Sequence, residues 1–124
     1  MIASRKYETI DLLKLRSQVT NLEWNSWLTR CLKDNDVEGL KKTRYGLQCG
    51  MDKLVKDKMS DEKLVIWFIR LMRSTELTMK KILVKLYPSP HDDPTHKAFH
   101  SKEAAALKRK RDAEFEIFLR ETSF

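Results

Sequence analysis

The longest hydrophobic pattern in the chain runs from Ser60 to Tyr87 and keeps the period of an α-helix. At about 100° per residue its apolar side chains share one arc, which comprises Leu64, Val65, Phe68, Leu71, Met72, Met79, Ile82, Leu83 and Leu86. No Gly or Pro interrupts it, Ser60 is a suitable N-cap, and Pro88 ends it. The pattern predicts one central helix over about residues 60–87, roughly 40 Å long.

Two shorter apolar stripes precede the central helix. We predict a short polar arm over residues 1–8 and a helix from about Thr9 to Thr20. The next stripe is out of phase with the first and consists of Trp24, Trp27, Leu28, Cys31 and Leu32. Thr20 followed by Glu23 has the spacing of a capping box. This favours a break near Thr20–Asn21, and the alternative is one helix buried on two sides.

Residues 37–58 form another amphipathic pattern, and Asp34–Asp36 supplies its N-cap. All three glycines of the chain lie in it, within about 40° of each other on a helical wheel: Gly39, Gly46 and Gly50. They either weaken the helix, at about 0.5–1 kcal/mol each, or form a smooth groove for a close neighbour. That neighbour could be another helix or a strand of nucleic acid.

The chain beyond Pro88 has weaker signals. We predict a Pro-rich connection over residues 88–95 and a last helix from Thr95 or Ser101 to Glu121. The apolar stripe of that helix is thin and comprises Phe99, Ala106, Ala113 and Ile117, with further apolar residues near its end. We therefore expect residues 96–124 to pack loosely or to dock on a partner.

These patterns predict an all-α, single-domain bundle of four to five helices around the central helix. Residues 1–87 form its basic core, and residues 96–124 form a more loosely packed C-terminal helix. The composition agrees, because three Gly and three Pro among 124 residues argue against a strand-and-turn architecture. The net charge of +7 arises entirely in residues 1–87, which hold 18 basic against 11 acidic residues. Such an excess favours nucleic acid, an acidic protein or an anionic membrane as partner.

The face of the central helix opposite its apolar arc is the main candidate binding surface. It carries Lys63, Arg70, Arg73, Lys80, Lys81 and Lys85. A cation row about 33 Å long can follow a phosphate backbone and gain affinity by counterion release. Trp67 lies among these cations and either stacks on a base or packs, with Ile66, Leu77 and Val84, under another helix.

Two further groups of cations are weaker candidates. One arc of the 37–58 helix presents Lys42, Lys53 and Lys56. The basic run of the last helix is Lys108, Arg109, Lys110 and Arg111. Such runs act as nuclear-import signals or nucleic-acid contacts. The alternative is a solvated helix whose cations pair with Glu103, Asp112 and Glu114.

Catalytic and metal-binding signals are sparse. His96 and His100 have the i, i+4 spacing that lets two imidazoles share a metal, and His91, Asp92 and Asp93 are nearby. The alternative is a polar loop with solvated histidines. The chain has no H-E-x-x-H motif, no Gly-rich phosphate loop and no nucleophile context. We therefore expect no enzyme activity, no bound metal and no cofactor, with a metal-dependent enzyme as the remote alternative.

The start MIASRKYET lacks the apolar segment of a signal peptide, and no run reaches the ~20 apolar residues of a membrane span. Cys31 and Cys49 are expected to be free thiols in an intracellular, cytoplasmic protein. We expect sequence-independent nucleic-acid binding by a non-catalytic subunit of a nucleoprotein assembly, with no membrane partner. The alternative is an adaptor or inhibitor that docks on an acidic protein. In size and charge, without any shared motif, the chain is similar to helical small subunits of RNA-guided effector complexes and to many small viral proteins.

Overall fold

The computed structural model describes residues 7–88 and 102–123, and within these residues it contains five α-helices and no strand. The helices are α1 (Leu12–Gln18), α2 (Asn21–Asp34), α3 (Val37–Lys56), α4 (Glu62–Leu86) and α5 (Lys102–Glu121). The long helix α4 packs against α2, α3 and α5, whereas α1 packs on α3. The predicted all-α bundle around a long central helix is confirmed.

An N-cap at Thr20 separates α1 from α2 at the position that the sequence predicts. The Thr20 hydroxyl accepts a hydrogen bond from the Glu23 backbone N–H at 3.1 Å and donates one to the Glu23 carboxylate at 3.1 Å. The Glu23 N–H would otherwise have no partner within the first turn of α2. The alternative of one continuous helix is therefore wrong, and α1 begins at Leu12 rather than near Thr9.

Aspartates cap the other helices whose N-cap residues the structure describes. Asp36 accepts from the Gly39 N–H at 2.9 Å, and Asp61 accepts from the Leu64 N–H at 2.7 Å. The prediction of Ser60 as the N-cap of the central helix is wrong by one residue. A carboxylate both accepts the hydrogen bond and interacts favourably with the positive end of the helix dipole, so Asp61 is the stronger cap.

The core surrounds the inner face of α4. Its fully buried side chains include Leu12, Leu40, Leu47, Leu64, Ile82 and Phe118. The predicted apolar arc of α4 lies largely in this core, but Leu86 is exposed and Thr75 is buried in the middle of the helix. The Thr75 hydroxyl donates to the Leu71 carbonyl at 2.8 Å, so its burial leaves no donor unpaired.

The N-terminal segment of the chain lies directly against two glycines of α3. The Ile10 N–H donates to the Gly46 carbonyl at 3.1 Å. A Cβ atom at Gly50 would lie only 2.2 Å from the Ile10 carbonyl oxygen. The predicted close approach is therefore found at Gly46 and Gly50 but not at Gly39, and its occupant is the chain's own non-helical segment rather than another helix or nucleic acid. Tyr7 is buried beside Tyr45, so the predicted polar arm does not extend to residue 7.

Replacing Gly50 by Ala is expected to lower the free energy of unfolding by about 1–3 kcal/mol, because the new methyl group meets backbone rather than a movable side chain. Urea unfolding followed by circular dichroism measures the change. Gly39→Ala is the control, because its Cβ would meet only the movable Asp36 side chain. The cost of shifting that N-cap and the helix preference of alanine act in opposite directions. We expect that control to change stability by less than about 1 kcal/mol. Equal effects at both positions would contradict the packing of residues 8–12 on α3.

The buried face of α5 differs from the predicted one. Ala104, Arg111 and Phe118, spaced by seven residues, are buried. Ala106 and Ala113 are exposed, and Phe99 lies outside the described residues. The predicted apolar stripe therefore lies on the wrong face of α5. The hydrophobic pattern missed the buried face because a cation, Arg111, occupies its middle position.

Candidate nucleic-acid interface

The outward face of α4 presents all six predicted cations to solvent. Lys63, Arg70, Arg73, Lys80, Lys81 and Lys85 are each exposed. One uninterrupted helix of 25 residues carries them, so their relative positions are fixed by the backbone. We call these six residues the cation row.

Two members of the cation row are tied to neighbouring helices. The Lys85 ammonium donates to the Leu32 carbonyl oxygen near the end of α2. The Lys80 ammonium lies 4.9 Å from the centroid of the Phe115 ring on α5, within the range of a cation–π interaction. Both side chains therefore have structural partners in addition to any ligand.

The other four cations lack such partners in the part of the chain that the structure describes. The salt bridges found there join Lys41 to Glu121, Arg44 to Glu76, and Lys56 to Asp52. None of them uses a member of the cation row. Four cations on one helix face therefore have no carboxylate close to them among the described residues. They are Lys63, Arg70, Arg73 and Lys81.

Trp67 lies at the edge of this face and is half-buried against the core. The Arg16 guanidinium of α1 lies 5.8 Å from the centroid of its ring. A base that stacks on this face of the indole would compete with Arg16 for it. Arg16 is itself exposed and adds a cation that sequence reasoning missed, because only the packing of α1 brings it to α4.

Apolar side chains interrupt the cation row. Ile66, Leu77 and Val84 are 45%, 53% and 46% exposed. The interpretation that they pack under the first or last helix is therefore wrong for Ile66 and Leu77, whereas Val84 lines the cavity between α4 and α5 while remaining partly exposed. Because they point away from the core, the outward face of α4 alternates between cations and aliphatic side chains.

The remaining predicted cations are dispersed over other elements. Lys42 and Lys53 of α3 are exposed, and Lys53 lines a cavity of about 330 Å³ beside the N-terminal segment. Lys56 pairs with Asp52 at 3.0 Å. These lysines share α3, but Lys53 faces the N-terminal segment rather than α4.

The four cations of the basic run of α5 lie in different environments. Lys108 and Arg109 are exposed, and the Lys110 ammonium lies 4.9 Å from the centroid of the Tyr87 ring. Arg111 is buried, so the interpretation of four cations around an exposed helix is wrong for this residue. Arg111 and Lys80 line the same cavity of about 220 Å³ between α4 and α5, and the structure thereby brings one residue of the run to the cation row.

Groups that could support chemistry are few in the described ranges. No cluster of three or more His, Cys, Asp or Glu side chains there could hold a metal ion, and the three predicted histidine ligands lie outside those ranges. Cys31 and Cys49 are buried and free. Burial, together with the nearby Asp36 carboxylate, raises the pKa of the Cys31 thiol, so it stays protonated and unreactive at neutral pH.

Within residues 7–88 and 102–123, no helix combines the length and the apolar character that crossing a bilayer requires. Comparison with protein-family models, curated proteins and solved structures finds no match to this chain. The functional inference therefore depends on the residues and their geometry alone.

Proposed function

We propose that this protein binds the phosphate backbone of nucleic acid without sequence specificity, as a non-catalytic subunit of a larger nucleoprotein assembly. One observation supports this above all: Lys63, Arg70, Arg73 and Lys81 are exposed on a single helix face, outside the salt bridges of the described residues. These four span about 27 Å at 1.5 Å per residue. The free thiols of Cys31 and Cys49 favour a reducing compartment such as the cytoplasm.

The physical basis is electrostatic. Each phosphate that a Lys or Arg neutralises releases condensed counterions, and this entropy supplies the affinity. A rigid helix presents the charges without first having to order them. Arg16 lies over one face of the half-buried Trp67 indole, so the proposal rests on the cations of this face rather than on base stacking. Phosphate contacts carry no sequence information.

Changing Lys63, Arg70 and Lys81 together to Gln is expected to weaken binding to any oligonucleotide about equally. The slope of log affinity against log salt should become shallower by about 0.9 per lost contact on duplex DNA, or about 0.7 on a single strand. Fluorescence anisotropy with two oligonucleotides of unrelated sequence, across a salt series, measures both effects. Arg73 is left unchanged here because it also lines a groove between α3 and α4.

The matched control changes Lys14, Arg30 and Lys33 to Gln. These are exposed cations of α1 and α2, so the net charge falls by the same amount. If the cation row is the site, the control retains the salt slope of the unchanged protein. Equal losses in both variants would instead indicate general attraction to a basic protein, and no binding at low salt would contradict the proposal.

An acidic protein is the second candidate partner, and the exposed Ile66, Leu77 and Val84 favour it specifically. Aliphatic side chains contribute little free energy to phosphate binding. They contribute more when an amphipathic partner surface buries them. Changing Leu77 and Val84 together to Ser separates the two candidates. Oligonucleotide binding should survive that change, whereas docking on an acidic amphipathic helical peptide should be lost in this variant and in the triple variant.

A further inference from the structure

A groove of about 230 Å³ lies between α2 and α4, and Lys81 of the cation row forms part of its lining. Its other polar lining residues are Asn25 and Thr29 of α2 and Ser74 and Thr78 of α4, and three leucines complete it. We call it the hydroxyl groove. No Asp or Glu is among the described residues that line it, so an anionic polymer held by Lys81 meets no repulsion on entering it.

The hydroxyl groups of this groove have their hydrogen atoms committed within the helices. Thr29 and Thr78 each donate to the backbone carbonyl four residues earlier, at 2.9 and 2.8 Å. The Ser74 hydroxyl donates to the Leu71 carbonyl and accepts from the Trp24 indole N–H. A hydroxyl has one hydrogen and two lone pairs, so Thr29 and Thr78 present only acceptors to the groove. The groove therefore suits a ligand that donates a hydrogen bond.

We propose that the hydroxyl groove receives the ribose of an RNA strand whose phosphate Lys81 binds, so that the protein prefers RNA to DNA. This assignment rests on the proposed function and adds its substrate class. The 2′-hydroxyl is the one hydrogen-bond donor of the RNA backbone, and DNA lacks it. Thr29 is exposed on the α2 side of the groove and Thr78 lies buried on the α4 side, and their oxygens accept the hydrogen bond of the 2′-hydroxyl.

The size and the lining of the groove favour a sugar over a base or a free small molecule. Complete small-molecule ligands occupy pockets of about 300–1,000 Å³, larger than this groove. Within the described chain no aromatic side chain lines it, so a base finds no stacking surface there. Lys81 is exposed at its edge, and a phosphate bound by Lys81 brings the adjoining sugar of the same strand to the groove.

Fluorescence anisotropy with single strands that contain only adenine and cytosine tests the preference, because the RNA and DNA versions then differ in the sugar alone. We expect RNA to bind about 3–10-fold more tightly than DNA, the gain from one typical hydrogen bond. A 2′-fluoro strand keeps the sugar conformation of RNA but cannot donate from the 2′ position. It should therefore bind as weakly as DNA.

The acceptors are tested by changing Thr29 and Thr78 together to Val, which removes both oxygens and keeps the branched shape of each side chain. The affinity for RNA should fall to that for DNA, and the affinity for DNA should not change. Thr43→Val is the matched control, because it is the same replacement on α3, outside the groove. The control should retain the full preference for RNA. Circular dichroism checks that each variant keeps its helices.

The outcomes separate this assignment from the proposed function. Equal affinity for RNA and DNA would overturn the ribose assignment and leave phosphate binding intact, whereas no binding to either strand at low salt would contradict the proposed function itself. A preference for RNA that persists with the 2′-fluoro strand or in the double variant would overturn the assignment, as would an equal loss on both strands. If the double variant does not fold, the exposed Thr29→Val change alone is used, and an unchanged preference for RNA in that variant overturns the assignment.

Discussion

Replacing Phe118 by Ala is expected to lower the free energy of unfolding by about 3–5 kcal/mol. The Phe118 side chain is 1% exposed and is among the largest fully buried groups of the described residues. The Arg44 guanidinium lies 5.9 Å from the centroid of its ring, and the ring of Phe115 lies at the same distance. Truncation therefore removes both apolar burial and two aromatic contacts, and it leaves a cavity between α5 and α4.

Urea unfolding followed by circular dichroism measures this loss. Phe115→Ala is the control because it is the same change three residues earlier on α5, at a half-buried position. Its cost should be clearly smaller, since less apolar surface returns to water. No cost at either position would mean that α5 packs as loosely as the sequence pattern of residues 96–124 suggests, and equal large costs would contradict the half-buried position of Phe115.

The helices themselves could be predicted from the sequence because the signals that define them are local. The apolar arc of α4 lies within one element, and Thr20 caps the N–H of Glu23 within one turn. The buried face of α5 could not be predicted in the same way. Arg111 is buried there, and a hydrophobic pattern cannot identify a buried position that a cation occupies.

In the candidate site too, local features could be predicted and features that depend on packing between helices could not. The exposure of Arg70 and Lys81 follows from their position on the helical wheel of α4, and it could be predicted. The contact of Arg16 with Trp67 joins α1 to α4 and depends on how the bundle packs. The glycines of α3 indicated a close neighbour, but a smooth surface does not identify that neighbour. In the structure it is Ile10.

Changing Glu76 to Gln is expected to lower the free energy of unfolding by about 3 kcal/mol. Arg44 is buried, and its Nε and Nη2 atoms donate to Glu76 Oε1 at 3.2 and 2.9 Å. Its Nη1 atom donates to the Thr122 hydroxyl at 2.6 Å, so Arg44 joins α3, α4 and the residue after α5. Without the carboxylate, a buried positive charge loses its counter-charge. The cost of breaking a buried ion pair is about 3–5 kcal/mol, and the lower end applies because the Glu76 side chain is 29% exposed.

Two further variants make this last prediction specific to the buried charge. Lys56→Gln breaks the exposed pair with Asp52 and should cost less than about 1 kcal/mol, since both groups remain in water. Changing Arg44 to Met and Glu76 to Leu in one chain removes both charges and keeps apolar volume at the site. That double variant should be more stable than Glu76→Gln alone, because replacing a whole buried ion pair costs less than leaving one member unpaired. If the double variant is instead less stable than Glu76→Gln, the guanidinium stabilises the bundle through its contacts with Thr122 and Phe118 rather than through its charge pair.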